Sequence, residues 1–212
     1  MIEAVFQGTA SLRLVNFPRL YALLLCAVVM ALGSGCISTT SYVDPELPKI
    51  AYTSLKPPTQ ARPVQVFFEF QTKETTNAAA TEKLRPKVVA TLEQSKLFSE
   101  VVTAPKTADQ KLFITVNNFP VTKDAASKGV GVGLTFGLVG TMVTDGYLME
   151  TIYRAPSQQE VKKTYRHALH TTIGNAPGPP GLKGMTPQEA FDKALEEMLL
   201  NLLNDLSREG RL

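Results

Sequence analysis

The chain holds few groups able to do chemistry alone, and they lie far apart. Its 212 residues include two cysteines, Cys26 and Cys36, and two histidines, His167 and His170. Valine, threonine and tyrosine around the histidines favour a strand, where positions three apart face opposite sides. In a strand the pair does not easily share a metal or a substrate, whereas on a helix it could. His167 shares a face with Tyr165 and Leu169 and is expected half-buried and satisfied; His170 is expected to face solvent. Glu69, Asp145 and Glu150 are candidate strand carboxylates, but none has a partner of known geometry and each reads as an exposed charge. No Gly-x-Ser-x-Gly elbow and no His-Glu-x-x-His motif occurs. Arg154, Lys162, Lys163 and Arg166 cluster in one stretch, as expected of a sheet edge that uses charge to prevent further pairing.

The first 36 residues are more informative. Arg13 and Arg19 precede the uncharged run 20–32 (LYALLLCAVVMAL), and Gly33, Ser34 and Gly35 follow it. A cationic start, a short apolar run and a small-residue site form a secretory signal. At 1.5 Å per residue the run is about 20 Å long, short for a bilayer core of about 30 Å. The small residues end at Cys36, and Leu32-Gly33-Ser34-Gly35-Cys36 resembles the signal of bacterial lipoproteins. The resemblance implies cleavage before Cys36, a lipid on its sulfur and an acylated new amine. Ile37, in place of an aspartate, implies the outer membrane, on its periplasmic face. Cys26 leaves with the signal and the lipid consumes Cys36, so the mature chain has no thiol for a disulfide, a metal or catalysis.

Composition excludes other classes. A net charge of +3, from 22 basic and 19 acidic residues, leaves no strong nucleic-acid footprint. Two cysteines cannot build a disulfide scaffold.

The elements follow from periodicity. Residues 37–63 contain Pro45, Pro48, Pro57, Pro58 and Pro63 and read as a semi-rigid tether, although Ile50 and Tyr52 could pair with a sheet edge. Val64, Val66, Phe68 and Phe70 share one face of a strand. Residues 78–97 read as a helix with Leu84, Val88 and Leu92 on one stripe; Pro86 either opens a shorter helix or kinks a longer one. Residues 111–119 make a second strand, and 144–155 with 160–173 a hairpin turning at Pro156–Gln159. Residues 174–185 are a Gly/Pro-rich loop. Thr186-Pro187-Gln188-Glu189 is a capping box opening an amphipathic helix through Leu206, with Gly210 as its stop.

The expected fold is α+β: a four-stranded sheet with two helices on one face, in the order β-α-β-β-β-α, plus a Gly-rich apolar segment. Residues 1–35 would be signal, 36–63 acylated cysteine and tether, and 64–212 one domain. In element order alone this is similar to small outer-membrane lipoproteins, namely the plug of the lipopolysaccharide translocon and the N-terminal domain of the curli-secretion lipoprotein.

The unusual feature is residues 129–143 (GVGVGLTFGLVGTMV), which hold five glycines and no charge. As a helix, Gly129, Gly133 and Gly137 form a small-residue face. As a strand, Val130, Val132, Leu134, Phe136 and Leu138 point one way, at a length that suits a membrane β-ribbon. A linker covering the domain's own core is a third reading. A phosphate-cradling loop does not fit, since no Gly-Lys-Ser/Thr follows. The candidate interaction segment is therefore Gly129, Gly133, Leu134, Phe136, Gly137 and Leu138. The chain is expected to be a non-catalytic outer-membrane lipoprotein, needing no cofactor or metal. It would act as accessory, scaffold or assembly factor, held to the membrane by lipid and meeting an envelope protein. The alternative is a subunit of an oligomeric pore or secretion complex using 129–143.

Overall fold

Four long strands carry the alternation seen in the sequence, and they lie side by side. The computed structural model describes residues 38–121 and 141–212. Strand β2 (Val64–Thr72) pairs in parallel with β5 (Gln110–Pro120). β5 pairs antiparallel with β6 (Thr141–Arg154), and β6 with β7 (Val161–Ile173). The hairpin β6–β7 turns where Pro156–Gln159 was expected to turn it, with Ser157 at a φ of 61°.

The sheet has seven strands, not four. Its order is β1-β7-β6-β5-β2-β3, with β4 beside β2; β1 is Thr39–Val43, β3 Thr75–Thr76 and β4 Val101–Val102. The three additions span two to five residues, too few for a period of two to stand out. β3 also lacks a glycine signal. Lys73 and Glu74 both take positive φ, 51° and 62°, in the turn that pairs Thr72 with Thr75. Asn117 Oδ1 accepts from the Glu74 N–H at 3.0 Å, and the Asn118 carbonyl from the Lys73 N–H at 2.8 Å.

The tether reading of residues 37–63 needs the same correction over its described part. β1 zips onto the end of β7, Thr39 opposite Ile173 and Val43 opposite Leu169. Leu55 is buried, and Leu47, Ile50 and Tyr52 pack against the core. Proline removes donors but leaves carbonyls, and the last helix, α2 (Pro187–Arg208), supplies donors for them. Asn201 Nδ2 donates to the Pro48 carbonyl at 2.9 Å, and Ser207 Oγ to the Lys56 carbonyl at 2.8 Å. The compact unit accordingly begins at Ser38.

Two helices pack on one face of the sheet. α1 (Ala78–Gln94) is capped by Asn77, whose Oδ1 accepts from the Ala80 N–H at 3.0 Å. It ends three residues before the expected 97, because Lys96 turns left-handed at a φ of 57°. Pro86 sits inside the helix on its exposed side, where water can satisfy the Glu82 carbonyl that loses its donor. α2 opens with the expected capping box of Thr186 and Glu189 and with Pro187 in its first turn. It closes on Gly210, at a φ of 64°, while the Arg211 N–H reaches back to the Leu206 carbonyl at 3.0 Å.

The core lies between these helices and the faces of Val66, Ile114, Met149 and Tyr165. Leu195, Met198, Leu199, Leu202, Leu203 and Leu206 of α2 are fully buried in it. Leu199→Ala is expected to cost about 3 kcal/mol, read as a lower denaturation midpoint at unchanged slope.

Candidate functional site

β7 places the two histidines on opposite faces. His167 faces α2, with its side chain fully buried, and its Nε2 lies 2.8 Å from Glu197 Oε2. Its Nδ1 accepts the Ala168 N–H at 3.0 Å, so the proton sits on Nε2 and is donated to the carboxylate. This is the satisfied histidine expected from the sequence. His170 corrects the expectation of a solvent-facing ring: it is 8% exposed. Its Nδ1 lies 2.9 Å from Thr144 Oγ1 and its Nε2 3.1 Å from Asp44 Oδ2. The burial comes from β1 and loop 174–185, which the Ser41–Met185 bridge holds against that edge. Both rings are ties, one to α2 and one to β6 and the chain after β1. Among the described residues, no group of three or more His, Cys, Asp or Glu side chains is placed to hold a metal.

The strand carboxylates serve separate purposes. Glu69 accepts from Gln71 Nε2 at 2.6 Å and Thr76 Oγ1 at 2.9 Å, which together hold its pKa below the usual carboxylate range. Glu150 is exposed. Asp145 is half-buried, and desolvation raises its pKa against the opposing hydrogen bond from Asn118. Burial and the nearby Asp145 also push up the Tyr147 phenol. Tyr52, pushed up to about 12 by burial and by Glu196, donates to Glu196 Oε1 at 2.7 Å. Tyr165, raised by burial and Asp205, donates to Asp205 Oδ2 at 2.7 Å. The Tyr52 and Tyr165 phenols work as struts to α2.

The sheet face away from the helices carries an apolar row. Phe67, Phe113 and Ile152 are cross-strand neighbours on β2, β5 and β6, continued by Lys162 on β7. The two phenylalanine rings stack at 4.6 Å and 9°, and the Arg154 guanidinium lies 5.2 Å from the Phe113 centroid. Phe67 is 36% exposed, one of two large apolar side chains so exposed among the described residues. The basic cluster borders this face. Arg154 and Lys162 pair with Glu160, and Lys163 with Glu209. β1 covers β7 only from Leu169 onward, so these lysines guard its uncovered half, as the edge reading expects.

A cleft of about 440 Å³ lies where α2 ends, lined by Lys56, Arg62, Gln110, Gln158, Ser207 and Leu212 among others. Gln110 is 3% exposed and its Oε1 has no hydrogen-bond partner. The cleft offers cations and amides, the chemistry of a small polar anion, and nothing that would make a bond. Periodicity had no means of finding it, since residues from four separate stretches converge there.

Cys36 and the segment Gly129, Gly133, Leu134, Phe136, Gly137 and Leu138 lie outside the described residues. The second strand that a pore-forming ribbon would require is committed elsewhere, because β6 is paired on both sides, to β5 and β7. No helix among the described residues is long and apolar enough to cross a membrane.

No protein-family model and no curated protein matches the chain. Solved structures similar to it include bacterial lipoproteins. A PelC dodecamer from Paraburkholderia phytofirmans is 13% identical, covering 80% of this chain and 97% of that one at a TM-score of 0.33. Rare lipoprotein B from Shewanella oneidensis is 12% identical, covering 69% and 92% at a TM-score of 0.30. A neuraminyllactose-binding hemagglutinin homolog from Helicobacter pylori is 10% identical, covering 76% and 92% at a TM-score of 0.44. At such scores no residue and no role is carried over.

Asp145→Asn is expected to raise stability at pH 7. The raised pKa means that ionising Asp145 opposes folding, and asparagine removes that cost. The gain should shrink as pH falls through the raised value towards the ordinary aspartate value of about 4 and be absent below it, which paired denaturation curves would show.

Proposed function

We infer that the protein is a lipid-anchored module of the bacterial envelope that works by binding. Cys36 would carry the lipid, and the outer membrane's periplasmic face would be its site. The observation that carries this reading is the boundary of the fold. The compact unit begins at Ser38, two residues after Cys36, so cleavage before Cys36 would leave that unit whole. Several acyl chains on one residue would make release negligible, since each buried CH₂ contributes about 0.8 kcal/mol.

Binding rather than catalysis is supported by how the polar groups are used. His167, His170, Tyr52 and Tyr165 are all engaged in ties between elements. The Phe67–Phe113–Ile152 row, bordered by Arg154 and Lys162, is the face offered to an envelope protein as accessory, scaffold or assembly factor. The run 129–143 would supply a second contact, through Gly129, Gly133, Leu134, Phe136, Gly137 and Leu138.

Cys36→Ser is expected to abolish acylation and leave an uncleaved precursor, seen by intact mass and membrane fractionation. A mature-length, membrane-held Cys36→Ser protein would contradict the reading. Phe67→Ser with Phe113→Ser should reduce capture of envelope partners from solubilised membranes while leaving acylation unchanged. Undiminished capture by a folded double variant would remove this face from the proposal.

A further inference from the structure

The start of β1 limits how far the domain can stand from its anchor. The Gly174 N–H donates to the Ser38 carbonyl at 2.9 Å, and Thr39 pairs with Ile173. The chain is therefore fixed to the sheet from Ser38 on, with only Ile37 between it and Cys36. Two residue steps span about 7 Å at most. A lipid on Cys36 must then hold this end of the sheet within about 7 Å of the point where acyl chains enter the bilayer.

The same end has the composition such a position needs. Three strand ends meet there, with Thr39 and Thr141 both opposite Ile173. No Lys, Arg, Asp or Glu occurs in residues 38–43, 141–144 or 171–182. Ser38, Thr39 and Gly174 are exposed, and Ile173 is 36% exposed. The other end of the strands is densely charged, with Arg62, Lys111, Arg154, Glu160 and Lys162. At about 3.4 Å per residue, β7 separates the two ends by roughly 40 Å. Placing the charged end at the lipid would desolvate those groups; placing the uncharged end there desolvates hydroxyls and one isoleucine.

We propose that the pole formed by Thr39, Thr141 and Ile173, uncharged among the described residues, rests on the bilayer surface, with the strands upright and the Lys56–Arg62 cleft facing away from the membrane. The partner of this pole is the lipid interface. This rests on acylation of Cys36, and the test separates the two claims.

Lipidated protein made from the full chain and carrying Ile173→Cys or Gln158→Cys, each the one free thiol once cleavage removes Cys26 and Cys36 is acylated, is labelled with a fluorophore. It is then reconstituted in phosphatidylethanolamine–phosphatidylglycerol vesicles with nitroxide-headgroup lipid. Intact mass reports acylation. The label at 173 should lose most of its emission to the nitroxide, and the label at 158 almost none. Should Ile173→Cys fail to fold by circular dichroism, Asn175→Cys, exposed beside Gly174, reports the same pole. Acylated protein in which 173 is quenched no more than 158 overturns the docking geometry alone. Protein lacking the acyl mass overturns the anchor reading beneath it.

Discussion

The pairing of β1 with β7 is the constraint on which the rest depends. Five residues, Thr39–Val43, are held along Leu169–Ile173, and the Met185 backbone closes the outer side of β1 at Ser41 in both directions. Each such hydrogen bond contributes about 1 kcal/mol net. Without the pairing, residues 38–63 would be the flexible leash that their prolines suggest. With it, they form a strap along α2, and a lipid on Cys36 would be held close to this end of the sheet.

The same pairing explains the histidines. β7 is covered by the helices on one face and by β1 and loop 174–185 at the end of the other. A histidine pointing either way is therefore buried and needs a partner. His167 finds Glu197 and His170 finds Asp44 and Thr144, so what might pass for catalytic pairs serve to fix three elements to one strand. On the face away from the helices, the row through Phe67 and Phe113 stays apolar. The helices cannot reach it, being on the other side of the sheet.

What the sequence revealed was whatever rests on local rules. The capping box at Thr186, the stop at Gly210, the turn after Arg154 and the four alternating strands are written in neighbouring residues. The shorter strands were not legible because their pairing is decided at a distance. Nothing in Thr39–Val43 announces that Ile173 lies opposite, and Lys73-Glu74 gives no sign of its left-handed turn. The solvent-facing reading of His170 fails for the same reason: part of its cover, β1 and Asp44, lies over a hundred positions away in the chain. The cleft at Gln110 depends on four stretches meeting and has no local signature.

The chain is ordered on the sheet from Ser38, two residues after Cys36. Hydrogen exchange of the mature domain addresses this order directly. The Ser41 and Asp44 amides, bonded to the Met185 and Ala168 carbonyls, should be protected to nearly the same degree as the amides of β5 and β6. Exchange at unprotected rates at both positions, with β5 and β6 still protected, would show the strap to be a leash.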